Sequence, residues 1–332
     1  MCSDDNNAFY ENPFVKIPLM VTGIWWIRNW FKGTQYRDPD RIDGKIAVVT
    51  GSSSGIGKCI AEELNRRGAK VYMLCRDREK SEKVIDELVQ KGCDEDRLIL
   101  RIGNLCDFNS LKSFSEKFRQ DERKLDILVN NASVIALPKF NKTIDGYEET
   151  WQANFVGHVV LTEMLLPQLK ASESARIIMT GSRLHFFGDT ISPEIANEPK
   201  HYGRLLPYNR AKLALTMYVR GLARRLQEDR VTNVTVNIFH PGMVNTPLYR
   251  TTPFKKPIIS HILSPGAALI FKTPMDGAQT GIFLACSPKV EGITGKYFDE
   301  CQETRPASQV LDDQKVRQIF GYTRNVLKSL GI

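Results

Sequence analysis

The sequence predicts an α/β protein: a doubly wound parallel sheet in a single domain, preceded by a short apolar segment. Two observations predict it. Short apolar runs alternate with helical stretches through the core of the chain, and the runs are mostly continuous, as strands buried on both faces require. The first run also ends directly in a glycine-rich turn that opens a helix, Thr50-Gly51-Ser52-Ser53-Ser54-Gly55-Ile56-Gly57. Such an order calls for βαβ units with right-handed crossovers.

The elements follow in turn. Residues 14–31 read FVKIPLMVTGIWWIRNWF, and their uncharged run, 17–27, has eleven residues. As a helix it would measure about 16 Å, where a bilayer core needs about 30 Å. Lys16, Pro18 and Arg28 further oppose a span, and no small-residue cleavage site follows. Trp25, Trp26 and Trp30 suit the membrane–water interface, so the segment is expected to lie on a membrane surface. The competing reading packs it on the domain's own apolar surface. Residues 32–44 are polar and turn-rich, and so complete an N-terminal segment 1–44 as a linker. The domain is expected over 45–300, with a tail at 301–332. Strands are expected at 45–50, 70–75, 97–102, 125–129, 175–180 and 234–239. Helices are expected at 58–67, 78–91, 108–120, 145–170 and 208–229, with a last surface helix at 311–330. Residues 246–271 mix proline with apolar residues and read as a mobile lid.

Composition narrows the function class. Hydrophobic content of 42% and charged content of 25% are those of a soluble globular protein. A net charge of +8 suits nucleic acid, an anionic membrane surface or an anionic cofactor, or simply a solvated basic surface. The basic residues are dispersed and no nucleic-acid motif is found, so no nucleic-acid partner is expected. The seven cysteines are scattered and form no CxxC pair, which predicts neither a disulfide framework nor a metal site. A reducing compartment fits them.

The glycine-rich turn makes Thr50, Gly51, Ser53, Ser54, Gly55, Ile56 and Gly57 candidates for a dinucleotide pyrophosphate. The glycines permit close backbone approach, and a helix N-terminus favours negative charge. An acidic residue closing the second strand would accept from a ribose 2′-hydroxyl, whereas an arginine accommodates a 2′-phosphate. Arg76 stands there and Asp77 comes one residue late, so NADP(H) is expected, with Lys58 as a second cation. Tyr208 and Lys212 share a helix face four residues apart. A free phenol titrates near 10, too high for a neutral-pH base, and a neighbouring ammonium favours the phenolate. Pro207 places Tyr208 near a helix start, where the helix dipole acts in the same sense.

Further stretches line up with these: Asn130-Asn131-Ala132-Ser133, Asn154 in WQANFVGH, Ser182 in TGSRLH, and His240-Pro241-Gly242-Met243-Val244-Asn245-Thr246. Together they resemble the short-chain dehydrogenase/reductase family over about residues 44–300. GIGK at 55–58, CRD at 75–77, the long Ser182–Tyr208 spacing, GAQT at 277–280 and GKYF at 295–298 suit its retinol dehydrogenase-like branch. The resemblance implies a Rossmann fold and an NADP(H)-dependent oxidoreductase. It implies Tyr208 as general acid/base, and Lys212 also as holder of the nicotinamide ribose. Ser182 would hydrogen-bond the substrate oxygen, Asn154 position a relay water, and Thr246 contact the nicotinamide amide. Asn104, Leu105, Asn131 and Ala132 would complete the cofactor contacts.

Two residues depart from the pattern: Ser133 stands where the family has glycine, and Asn104 where it has aspartate. Both are expected to weaken cofactor binding, and they motivate the alternative of a catalytically idle dinucleotide-binding scaffold. The apolar Phe186, Phe187, Ile191, Leu205, Leu206, Leu248, Phe254, Ile258 and Ile259 suggest a lipophilic substrate such as a retinoid, steroid or lipid aldehyde, unless they pack on the core. His185 and His240 read as structural histidines. The expected place is the cytoplasmic face of an intracellular membrane, endoplasmic reticulum or lipid droplet, or otherwise the cytoplasm. A homodimer is left open.

Overall fold

Runs such as KVYMLC and ARIIMT have no polar face to give to water, so both faces of their sheet are covered by helices. The computed structural model describes residues 22–23, 26, 28–189, 193–248 and 271–332. The chain runs β1 (Ile46–Thr50), α1 (Gly55–Arg66), β2 (Lys70–Cys75), α2 (Arg78–Gln90), β3 (Leu98–Ile102), α3 (Phe108–Asp121) and β4 (Ile127–Asn130). A long helix follows as α4, in three successive pieces: Glu149–Trp151, a π-turn Gln152–Val156, and Gly157–Lys170. Then come β5 (Ala175–Thr180), α5 (Leu206–Glu228), β6 (Val234–His240), α6 (Pro274–Cys286), β7 (Tyr297–Asp299), β8 (Gln302–Thr304) and α7 (Asp313–Ser329).

The strands form one sheet in the order β3-β2-β1-β4-β5-β6-β7-β8, parallel throughout except for the last pair. One apolar layer lies under α3, α4, α5 and α7, and the other under α1, α2 and α6. The strands expected from the sequence are present within a residue or two at each end. Of the elements named above, three were not expected. β7 and β8 have three residues each, too short to show a period. Residues 276–286 of α6 are all buried, so this helix shows no polar stripe.

Residues 32–44, expected as a linker, are tied to the body. The Tyr36 amide donates to Gln279 Oε1 at 2.9 Å, and the Arg67 guanidinium donates to the carbonyls of Asp38 and Asp40, both at 2.8 Å. Just before them, residues 28–32 are helical. Arg28 turns inward and donates to Asp276 Oδ2 at 2.9 Å, while Trp26 and Trp30 are 71% and 83% exposed. Residues 14–21, Trp25, Ile191, Phe254, Ile258, Ile259 and all but the ends of the expected lid lie outside the described residues.

The last helix packs closely on α5: a Cβ built at Gly221 would come within 2.7 Å of the Phe320 ring. Gly221→Val is therefore expected to lose about 1–3 kcal/mol of stability. A thermal melt checks this, and Phe320→Ala in the same background should recover part of the loss.

Candidate active site

Strand order reverses at β1 and β4, whose neighbours then run off in opposite directions. A crevice opens outside the carboxyl ends of parallel strands at such a point. Here it is a cavity of about 300 Å³. Thr50 joins the two strand ends: its hydroxyl oxygen accepts from the amides of Asn131 at 2.8 Å and Ala132 at 2.9 Å. Gly51 has φ +67, and a Cβ there would sit 2.8 Å from the Ala132 Cα. One at Gly57 would sit 2.4 Å from Asn131 Nδ2. These glycines are therefore required by the protein's own backbone crossing, before any ligand is considered.

Within the turn, Ser52 is buried and its hydroxyl is 3.2 Å from the Val49 carbonyl, which accepts from it. Ser53 and Ser54 line the cavity. α1 begins at Gly55, inside the turn and earlier than expected. Ser54 precedes it in extended conformation with its side chain not used as a cap, and the first turn carries no acidic residue. The helix thus offers its amide end toward the cavity.

The far end of the cavity is lined by Arg76, Asp77 and Lys80. Asp77 caps α2, its carboxylate accepting from the Lys80 amide at 3.1 Å. Lys58, expected as the second cation, is instead paired with Glu87 and does not line the cavity. Lys80 lines the cavity instead. Its signal was its position on the first turn after the strand-end arginine. Asn104 Oδ1 accepts from the Cys106 amide at 3.1 Å, which fixes its side chain at the cavity wall.

At the other end, Tyr208 and Lys212 line the cavity from the start of α5, with Pro207 in its first turn. Lys212 Nζ lies 5.5 Å from the Tyr208 ring centroid and donates to the Thr180 carbonyl at 2.8 Å. Burial of the ammonium lowers its pKa to about 7. Ser182 accepts from the Leu184 amide at 3.2 Å, which leaves its hydroxyl proton free to donate elsewhere. Thr246 stands close to Gly55, whose built Cβ would lie 3.1 Å from its methyl group. Of the site residues expected from the sequence, all but Gly57, Lys58, Asn154 and Ser182 line this one cavity. Gly57 and Asn154 stand behind it, against Asn131 and the chain after β4.

Beside Tyr208 pack Ile135, Ala136, Leu184 and Leu248. Phe186, Phe187 and Leu205 are exposed. The segment before α5 is held by Arg210, which pairs with Asp189 at 2.8 Å and donates to the His201 carbonyl at 3.0 Å. Neither Arg210 nor His158 was singled out in the sequence. His158 is fully buried behind the cavity, with Nε2 2.8 Å from the Ala132 carbonyl and Nδ1 3.0 Å from Asn130 Oδ1. Its burial lowers its pKa to about 3. His185 is structural: Nδ1–H donates to the Ser182 carbonyl at 2.6 Å and Nε2 accepts from the Ala307 amide at 3.0 Å.

The short chain dehydrogenase family model matches residues 45–256. The chain belongs to the short-chain dehydrogenase family. Retinol dehydrogenase 14 of Mus musculus is 38% identical, over 90% of this chain and 92% of its own length. Human retinol dehydrogenase 13 is 35% identical, over 94% and 93%. Among solved structures, a short-chain dehydrogenase of Burkholderia cenocepacia J2315 in complex with NADP superposes with TM-score 0.60 at 27% identity, over 78% of this chain and 97% of that one. A protein from Mycobacterium paratuberculosis shares the fold with TM-score 0.71 over 89% and 98%. The eight-stranded, mainly parallel sheet is the Rossmann-like sheet of these dehydrogenases.

His158 sets a pH limit on this family member. Below pH 6.5 the unfolded chain takes up a proton that the folded state refuses until about pH 3. The contribution is intact above pH 6.5 and falls by about 1.4 kcal/mol per pH unit below it. Denaturant melts from pH 7 to 4 should show a shallower decline for His158→Gln than for wild type.

Proposed function

We propose that this dehydrogenase is an NADP(H)-dependent oxidoreductase acting on a lipophilic alcohol or carbonyl. One observation carries the reading: Tyr208 and Lys212 share a cavity with the free end of α1 and with Arg76 and Lys80. The residues present fit a phosphorylated dinucleotide. The amide end of α1 and the Ser54 hydroxyl would hold the pyrophosphate, and Arg76 with Lys80 a 2′-phosphate. When bound, the nicotinamide supplies or accepts a hydride. The chain's own residues do the rest. In reduction, the Tyr208 hydroxyl gives its proton to the carbonyl oxygen, and Ser182 donates a hydrogen bond to the same oxygen as charge develops there. In oxidation, the Tyr208 phenolate takes the alcohol proton. Lys212 favours that phenolate when its own amine is protonated, and a phenolate or bound anion in turn favours the ammonium over the neutral amine.

The lipophilic substrate rests on the retinol dehydrogenase relatives and on the apolar wall of Ile135, Leu184 and Leu248 beside Tyr208. The membrane reading rests on Trp26 and Trp30. They stand four residues apart on one helix side, with Arg28 on the other side bonded to the body. Among the described residues no helix is long and apolar enough to cross a membrane. The helix end would therefore lie in the interface, on the cytoplasmic face of an intracellular membrane.

Turnover of retinoids, steroids and long-chain aldehydes with NADPH and NADH tests this function. Tyr208→Phe should lower kcat by about 10²–10⁴-fold while dinucleotide binding persists. Arg76→Ala should raise the KM for NADPH more than that for NADH. Dinucleotide binding with no Tyr208-dependent turnover would instead support the idle scaffold. For the membrane reading, Trp26→Glu with Trp30→Glu should reduce co-sedimentation with phosphatidylserine-containing vesicles and leave activity on a water-soluble aldehyde unchanged.

A further inference from the structure

Asn154 has no hydrogen-bonding capacity left for a ligand. Its Nδ2 donates to the carbonyls of Val134 at 2.8 Å and Thr150 at 2.9 Å. Its Oδ1 accepts from the Val134 amide at 3.0 Å and from the Ser133 hydroxyl at 2.5 Å. Two protons and two lone pairs are all engaged. The side chain is fully buried and does not line the cavity, but Ser133 does. The hydroxyl proton of Ser133 goes to Asn154, so any further hydrogen bond of its oxygen is made as an acceptor with a fixed direction. The backbone on either side is also held, by Thr50 and His158 at Ala132 and by Asn154 at Val134.

We propose that Ser133 is a cofactor-contacting residue, a preset acceptor for a hydroxyl of the bound dinucleotide, and that Asn154 is the positioning residue that aims it. This rests on the dinucleotide reading above. Ser133 follows Ala132, which packs on Gly51 of the pyrophosphate turn, and lies two residues before Ile135, which packs beside Tyr208. It therefore stands toward the Tyr208 end of the cavity, where a dinucleotide bound as proposed would bring the hydroxyls of its nicotinamide ribose. The residue that departs from the family pattern then strengthens binding, opposite to the expectation from sequence. An amide saturated by its own loop cannot orient a water through its side chain, so the polar contact of this corner passes to Ser133.

The test is calorimetric binding of NADP+ and of 2′,5′-ADP, which lacks the nicotinamide half, to the full chain. Wild type, Ser133→Ala, Ser133→Gly and Ser133→Thr are compared. The expected result is NADP+ binding about fivefold weaker in the Ala and Gly proteins, 2′,5′-ADP binding changed by less than about twofold, and the Thr protein near wild type. Ala or Gly proteins that bind NADP+ as tightly as wild type, or tighter, overturn the proposal and leave the dinucleotide reading standing. Equal weakening of both ligands also overturns it, since a disordered loop would do that. If wild type prefers NAD+, the NADP reading fails alone, and NAD+ with 5′-AMP becomes the deciding pair. Wild type that binds neither dinucleotide overturns both.

Discussion

The site depends on how closely the end of β1 passes the end of β4. A Thr50 hydroxyl collects two amides from the chain leaving β4, and Gly51 lies against Ala132 with no room for a Cβ. This contact places the amide end of α1 beside residues 131–134, and so puts an anion-seeking helix terminus next to the loop that carries Ser133. Separating the two strand ends by the width of one methyl group would leave Thr50 unable to reach both amides. The buried backbone groups would then have to find other partners.

A second constraint is electrostatic. Both ends of the cavity carry cations. Arg76 and Lys80 sit at one end, exposed to solvent. Lys212 sits at the other, fully buried with a carbonyl as its partner, and burial pulls its pKa down to about 7. Such an ammonium is stabilised by whatever negative charge arrives beside it. Charge on Tyr208 and charge on Lys212 would therefore favour one another.

The corner that holds Asn154 is supported from far along the chain. Trp151 and Phe155 flank it in α4, and both pack against Tyr322 of α7, whose hydroxyl accepts from the Trp151 indole at 3.4 Å. The π-turn begins directly after Trp151 and contains Phe155. α7 thus bears on the π-turn of α4, from which the side chain that clamps the loop after β4 projects.

The sequence by itself determined the doubly wound sheet, because apolar runs longer than any exposed strand tolerates require helices on both faces. It determined the glycine turn and the Tyr208–Lys212 pair as well, since these are matters of short spacing and local backbone freedom. It could not show that Lys58 pairs with Glu87 while Lys80 lines the cavity, because both are single cations following strands and only the folded chain separates them. Nor could it show β7, β8 and α6: the strands are too short to display a period, and the helix is buried on every side. The hydrogen-bond partners of Ser133, Asn154 and His158 likewise came only from the tertiary structure. Each is an ordinary polar residue whose meaning lies in its partners, and those partners come from β4, its loop and α4, brought together only when the sheet closes over its switch point.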